Sequence, residues 1–585
     1  MSQLDRIKVF QIIIYVVAFF VIARLFYWQF IAKVEGTFES IISDSFLPAP
    51  RGEIYDLSNF PLVTNQEAFL IYGKPHDLDQ NPEEVAKTVA PYLISEKYAT
   101  KSAGLSEDEQ KKKDEEIKAK EEELIKRLSD KNLFWVQLGR KLPKDVKEEI
   151  EAKKIRGLGF EPDQKRFYPE ASMAAQLLGF VAFDKIGQDT GYWGLEGYYD
   201  RKLRGKPGRL GQETDPLGFP ILVGKYRPIA SQKGASLYLT LDRVVQFIVE
   251  EKLKQAVEKY GAKEATVIIA QPQTGSILSM ATYPTYNPDL FLEFDESLYK
   301  NPAVADTFEP GSIFKVVAMS AALDLSIVQP TTRCDVCSGP RQIGGYEIST
   351  WNKKYYPNST MTEVIEHSDN VGMTFVSGKL GIDKFYDYIN KFGFGRRTGI
   401  DLEEESTGFL REKKDWKTID LATASFGQGI AVTPIQMVQA VSTIANKGRL
   451  VSPHIVAKIA SSDKEEKINS KEERQVISPK TAAQITEMMV NAVENGEAKA
   501  FAPKGYRIAG KTGTAQIPVS GHYDPNKTIA SFVGFAPADD PKFVMLVRFT
   551  EPTSSPFGSE TAAPTFFAIA KELFNYWAIP PDENK

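Results

Sequence analysis

The stretch FEPGSIFKVVAMSAALDL, Phe308 to Leu325, governs how the rest of the chain is read. Pro310-Gly311 marks a turn and the run behind it is almost wholly apolar, so a helix hydrophobic on every side is expected to begin near Ser312. Ser312 and Lys315 are three residues apart and share one helix face, which puts the lysine within reach of the hydroxyl. The apolar surround disfavours a charged ammonium and lowers the pKa of Lys315, and a neutral lysine can take a serine proton. The helix N-terminus also turns backbone N–H groups toward an attacked carbonyl, as an oxyanion site requires. Two other Ser-x-x-Lys spacings, Ser297/Lys300 and Ser461/Lys464, lie in an acidic stretch and a solvated charge run. Context, rather than spacing, therefore selects Ser312.

Downstream, Ser368-Asp369-Asn370 is the one Ser-x-Asn of the chain and Lys511-Thr512-Gly513-Thr514 the one Lys-Thr-Gly. The Ser368 hydroxyl could relay a proton between Lys315 and a leaving amine, and the Asn370 amide could bind a substrate carbonyl. RIAGKTGTAQI reads as a strand in which Gly513 lets another backbone approach closely, Lys511 supplies positive charge and Thr514 can hold a carboxylate. Strand patterns flank the helical middle of this region. SLYLTLD from Ser236 alternates, and ATVIIAQPQTGSILSMATYP reads as two strands about a Gln-Thr-Gly turn. KTIASFVGFAPADDPKFVMLVRF (527–549) reads as two more. Strands at both ends with helices between, from about 312 to 500, predict an antiparallel sheet assembled from distant segments and flanked by helices.

The 585 residues predict about three to four domain-sized units. With 42% hydrophobic and 25% charged residues the chain is globular, neither disordered nor polytopic. Its 72 basic against 77 acidic residues leave no global basic field for nucleic acid. Two cysteines and four histidines cannot build a disulfide scaffold or a histidine-rich metal site, so no metal is expected and chemistry falls to Ser, Thr, Lys or carboxylates. Cys334 and Cys337 could close a small disulfide or remain thiols. Residues 9–32 are largely apolar, carry no charge except Arg24 and reach roughly 36 Å as a helix, enough to span a membrane. Arg24 can snorkel, with Tyr27 and Trp28 at the interface. Arg6 and Lys8 keep residues 1–8 cytoplasmic and send the remainder outside. Residues 40–230 mix strand-like runs such as AFLIYG (68–73) with turns. They hold a capped, charged helix over 106–128, expected as a solvated arm, and a Gly/Pro/Lys-rich stretch, 204–220, expected as turns.

Ser-x-x-Lys, Ser-x-Asn and Lys-Thr-Gly in this order are the signature of penicillin-recognising acyl-serine enzymes. The chain resembles a class B penicillin-binding protein, a monofunctional peptidoglycan D,D-transpeptidase, over nearly everything from 1 to about 575. Further blocks carry the likeness: Arg51-Gly52-Glu53-Ile54-Tyr55-Asp56, Arg166-Phe167-Tyr168-Pro169, Leu178-Gly179-Phe180, Gly194-Leu195-Glu196-Gly197, FGFGRRTGIDL (392–402) and SFGQGIAVTPIQM (425–437). Leu57-Ser58-Asn59-Phe60 departs from the family's usual Arg-Asn-Gly, and the charged arm looks like an insertion.

The resemblance implies an α+β protein: a transmembrane anchor (9–32), an elongated β-rich pedestal of dimerisation type (40–230), and a transpeptidase domain (236–577) with an antiparallel sheet flanked by helices. It implies Ser312 as nucleophile, Lys315 as base, and the backbone N–H groups of Ser312 and Thr514 as the oxyanion hole. Ser368 and Asn370 would manage protonation and placement, and Lys511, Thr512, Gly513 and Thr514 would bind the donor's terminal carboxylate. No cofactor is implied. Implied partners are D-Ala-D-Ala stem peptides, β-lactams, the membrane, a polytopic glycan polymerase and division proteins. The FGQG and VTP blocks favour the division and sporulation branch. A β-lactam-acylated sensor or scaffold, and a D,D-carboxypeptidase, are the competing readings. Ser312→Ala should abolish the penicillin adduct in intact-mass measurements, whereas Ser297→Ala and Ser461→Ala should retain it.

Overall fold

The computed structural model describes residues 3–27, 41–99, 106–185, 187–214, 226–470, 473–519 and 522–582. They fall into two compact units: residues 1–49 with 206–232, and 50–205 with 233–585. In the first unit a helix spans Gln3–Phe26, and its 18-residue window Val9–Phe26 has a mean hydropathy of 2.5 with none of it buried in protein. The helix therefore begins before the expected anchor and takes in most of the expected cytoplasmic tail, because nothing in QLDRIK breaks it; 28–32, Trp28 among them, lie outside the described residues. The same unit holds an antiparallel sheet of Ile41–Leu47, Gly208–Thr214 and Tyr226–Ile229. Over 208–214 this corrects the expectation of turns for 204–220, of which 215–220 lie outside the described residues. Gly208–Thr214 is the central strand, paired on both sides, and that pairing overrides the weak strand preference of its glycines.

In the second unit the largest sheet runs in the order 277–283, 264–270, 543–550, 522–536, 509–519, antiparallel throughout. Its strands are apolar at successive positions because both faces are covered. Val267, Ile269, Met545 and Val547 enter one core with the helices Arg243–Tyr260 and Ala562–Tyr576. Ile268, Val544 and Leu546 enter the other with Lys315–Asp324, Pro434–Ala445 and Pro479–Glu494. Lys315–Asp324 is the all-apolar helix expected behind Ser312, and every residue from Lys315 to Leu323 is buried. The strand Ser236–Leu239 does not join this sheet. It pairs in parallel with Ile54–Tyr55 and antiparallel with Val456–Ala460, so one seven-stranded sheet mixes strands of the pedestal with strands of the following domain.

The charged helix forms over Glu107–Ser129 with the Ser106/Glu109 capping box in place. It is not only a solvated arm. Leu124 and Leu128 are buried with Val85, Val89 and Leu138 against the helix Pro82–Ala99, a small core of its own. Three of the quoted pedestal blocks converge on one carboxylate. Glu196, fully buried, accepts Arg51 Nε at 2.7 Å and Arg166 Nε at 2.7 Å, and Arg51 also reaches Asp200 at 2.9 Å. Removing one member of a buried ionic cluster strands the others in low dielectric. Glu196→Ala should accordingly lose about 3–5 kcal/mol of stability, read as a fall in the denaturation midpoint.

Candidate active site

Ser312 sits on a single 3₁₀ turn, Gly311–Phe314, and the α-helix begins at Lys315. The turn is pinned where Gly311 N–H donates to the Gly427 carbonyl at 3.0 Å, so the block 425–437 supports the loop that carries Ser312. The turn also packs against the strand Ala509–Val519: a Cβ on Gly513 would meet Ile313 Cγ2 at 2.9 Å and Ser531 Oγ at 2.4 Å, and only glycine allows that approach. Lys315 Nζ is fully buried and donates to the Ser368 carbonyl at 2.5 Å and the Ser368 hydroxyl at 3.2 Å. Ser368 presents both groups because its backbone is left-handed (φ 55°), a strained conformation for a serine, at the turn between Met361–Glu366 and Asn370–Leu380. Burial, and then the neighbouring Lys511 charge, hold the Lys315 pKa well below the ordinary lysine value, with Asp369 and Glu497 opposing.

Asp369 caps the helix Asn370–Leu380 by accepting Val371 N–H at 2.8 Å, and burial raises its pKa. Asn370 Nδ2 donates to the Ser349 carbonyl at 3.1 Å, which tethers the loop bearing Trp351. Lys511 is buried and its Nζ donates to Thr512 Oγ1 at 3.0 Å; burial lowers its pKa too. Thr512 Oγ1 in turn donates to Glu497 Oε2 at 2.9 Å, and Thr514 Oγ1 accepts Gly558 N–H at 3.1 Å.

Ser312, Ser368, Asn370, Thr512 and Thr514 line one cleft of about 360 Å³. Lys315 and Lys511 lie beneath its wall, and Gly513 is the close-packing point behind it. The same cleft takes in Trp351, Gln428, Glu497, Gln516, Thr528 and Phe557, none singled out as a site residue from sequence; the Trp351 and Phe557 rings stand 5.3 Å apart. Gln428 lies in a block quoted for the resemblance. Glu497 carries no motif that could have flagged it. The rejected serines lie elsewhere: Ser297 lines a different cleft where Lys300 pairs with Asp306 at 2.7 Å, and Ser461 is in an exposed turn with Lys464. His367 stacks on Tyr356 at 3.9 Å and lines no part of the cleft. Cys334 and Cys337 are joined in a buried disulfide with a Cα separation of 5.6 Å.

A buried lysine amine with a depressed pKa, bonded to the Ser368 hydroxyl beneath a cleft that Ser312 lines, suits acyl transfer through a serine ester. The comparisons with known proteins agree. Residues 265–573 match the penicillin binding protein transpeptidase domain and 46–239 the penicillin-binding protein dimerisation domain. The chain is 33% identical to stage V sporulation protein D of Bacillus subtilis, covering 98% of this chain and 86% of that one. It is 31% identical to a probable peptidoglycan D,D-transpeptidase of Pseudomonas aeruginosa, covering 97% and 96%. Among solved structures it resembles penicillin binding protein 3 of Mycobacterium tuberculosis in complex with aztreonam (TM-score 0.68, 26% identity, 92% and 98% covered). A peptidoglycan synthetase of Bifidobacterium adolescentis is similar as well (TM-score 0.72, 26% identity, 93% and 98% covered). With both domain models matched and the serine, the buried lysine and the Lys-Thr-Gly strand meeting at one cleft, the chain belongs to the class B penicillin-binding proteins.

Proposed function

We propose how this chain, a serine-type peptidoglycan D,D-transpeptidase, divides its reaction among its residues. Ser312 Oγ attacks the penultimate D-Ala carbonyl of a donor stem peptide and its proton passes to neutral Lys315. Backbone N–H groups of Ser312 and Thr514 hold the developing oxyanion. Ser368 carries the proton on to the leaving nitrogen, the C–N bond breaks and D-Ala departs. Lys511, Thr512 and Thr514, on the strand that Gly513 lets close against the nucleophile's turn, hold the donor's terminal carboxylate, and Asn370 orients the peptide. A neighbouring stem peptide's amine then displaces Ser312 and completes the cross-link. The observation that carries this reading is the buried Lys315, bonded to Ser368 and lacking a carboxylate partner among its hydrogen bonds.

The apolar N-terminal helix acts as a single-pass anchor in the cytoplasmic membrane, with Arg6 and Lys8 holding its start inside and the catalytic domain outside. A polytopic polymerase supplies glycan strands, and the protein serves septal or sporulation-linked wall synthesis; the likeness to stage V sporulation protein D supports that branch.

Acylation should follow a base that is neutral at physiological pH. An ordinary lysine is about 0.1% neutral at pH 7.5. Because the pKa of Lys315 is depressed, the acid limb of the penicillin acylation rate should lie well below the usual lysine range, and Lys315→Ala should remove the activity. A limb near pH 10 would contradict the role. Supplied with glycan strands and a polymerase, the protein should yield cross-linked dimers; hydrolysed tetrapeptide alone would favour a D,D-carboxypeptidase.

A further inference from the structure

A transpeptidase handles two charges: the anionic terminus of the donor and the amine of the acceptor, which arrives as an ammonium. Lys511 answers the first. Among the described residues lining the cleft, Glu497 is the only ionisable acid. Its Oε2 is committed to the Thr512 hydroxyl, which is in turn bonded to Lys511, while its Oε1 is buried and has no hydrogen-bond partner. The backbone just before Glu497 is tightly packed. Gly496 packs so tightly that a Cβ there would lie 2.3 Å from the Ala492 carbonyl oxygen and 2.9 Å from that of Glu366, two residues before Ser368. The negative charge of Glu497 is felt at the buried amines of both Lys315 and Lys511, so its field reaches the reacting end of the cleft.

We propose that Glu497 is a specificity-determining residue for acyl transfer: its carboxylate, the one acid among the described residues lining the cleft, receives the ammonium of the acceptor and orients that nitrogen toward the acyl-serine. This rests on the reading of Ser312 as nucleophile. In the step itself the bound R–NH₃⁺ gives one proton to water and its nitrogen attacks the acyl carbon. The C–N bond forms as the C–Oγ bond breaks, and a second proton passes through Lys315 to Ser312 Oγ. Hydrolysis needs no cation and so no help from Glu497.

The test uses full-length protein in detergent, a thioester analogue of the D-Ala-D-Ala donor, and two acceptors: a primary amine cationic at the assay pH, and hydroxylamine, which is neutral there. In Glu497→Gln, partition to the cationic amine over water should fall about tenfold or more, as loss of a charged hydrogen bond implies. Partition between hydroxylamine and water, a ratio in which any change in the rate of acylation cancels, should be retained, and Glu497→Asp should recover part of the loss. Equal transfer to the amine in wild type and variant would overturn the proposal. So would an equal fall with both acceptors, or loss of the penicillin adduct, which would put Glu497 in the donor half-reaction. Absence of the adduct on wild-type Ser312 would instead overturn the reading of the site.

Discussion

Burying an amine is the constraint on which the rest of the structure depends. A lysine taken out of water without a carboxylate among its hydrogen bonds is pushed toward its neutral form, and burial applies that push to Lys315. The helix that carries it is apolar on every side because helices and a sheet surround it. The polar contacts of its Nζ come from Ser368, whose strained backbone supplies a carbonyl and a hydroxyl together. The second lysine is buried nearby, and its repulsion pushes Lys315 the same way as desolvation does. Two basic groups are thus buried side by side, each with its pKa lowered by burial.

The sheet explains why residues two hundred positions apart can be held to this tolerance. The strand Ala509–Val519 lies at its edge, with one side toward the Gly311–Phe314 turn, while its other side is hydrogen-bonded along the length of His522–Ala536. Gly513 lets that edge close in on Ile313. The pedestal is joined to this domain by more than a linker: the Ile54–Tyr55 strand pairs with Ser236–Leu239 in one continuous sheet, and Arg51, Arg166 and Glu196 lock its sequence-distant blocks around one buried carboxylate.

Much of this was legible in the residues. The turn at Pro310-Gly311, the all-apolar helix, the strands at both ends of the domain and the capped charged helix are local patterns, and local patterns survive into the fold. The three motifs meet in one place, as their order in the family implies. What was not legible depended on tertiary partners. Gly208–Thr214 reads as turns until strands on both sides pair with it, and the charged arm reads as solvated until the helix Pro82–Ala99 covers Leu124 and Leu128. Glu497 is one glutamate among many in a charged chain, and only the fold sets it against Thr512. Trp351 and Phe557 meet across the cleft from loops that no spacing rule connects.

The central claim, that Lys315 is held neutral for catalysis, is open to direct observation. NMR of the protein with ¹⁵N-labelled lysine side chains, titrated across neutral and alkaline pH, should show a resonance that loses its proton far below the usual lysine range and is missing from a Lys315→Met variant. If every lysine resonance instead titrates near 10.4, or the shifted signal persists in that variant, Lys315 is a buried cation and the account of its role as base is wrong.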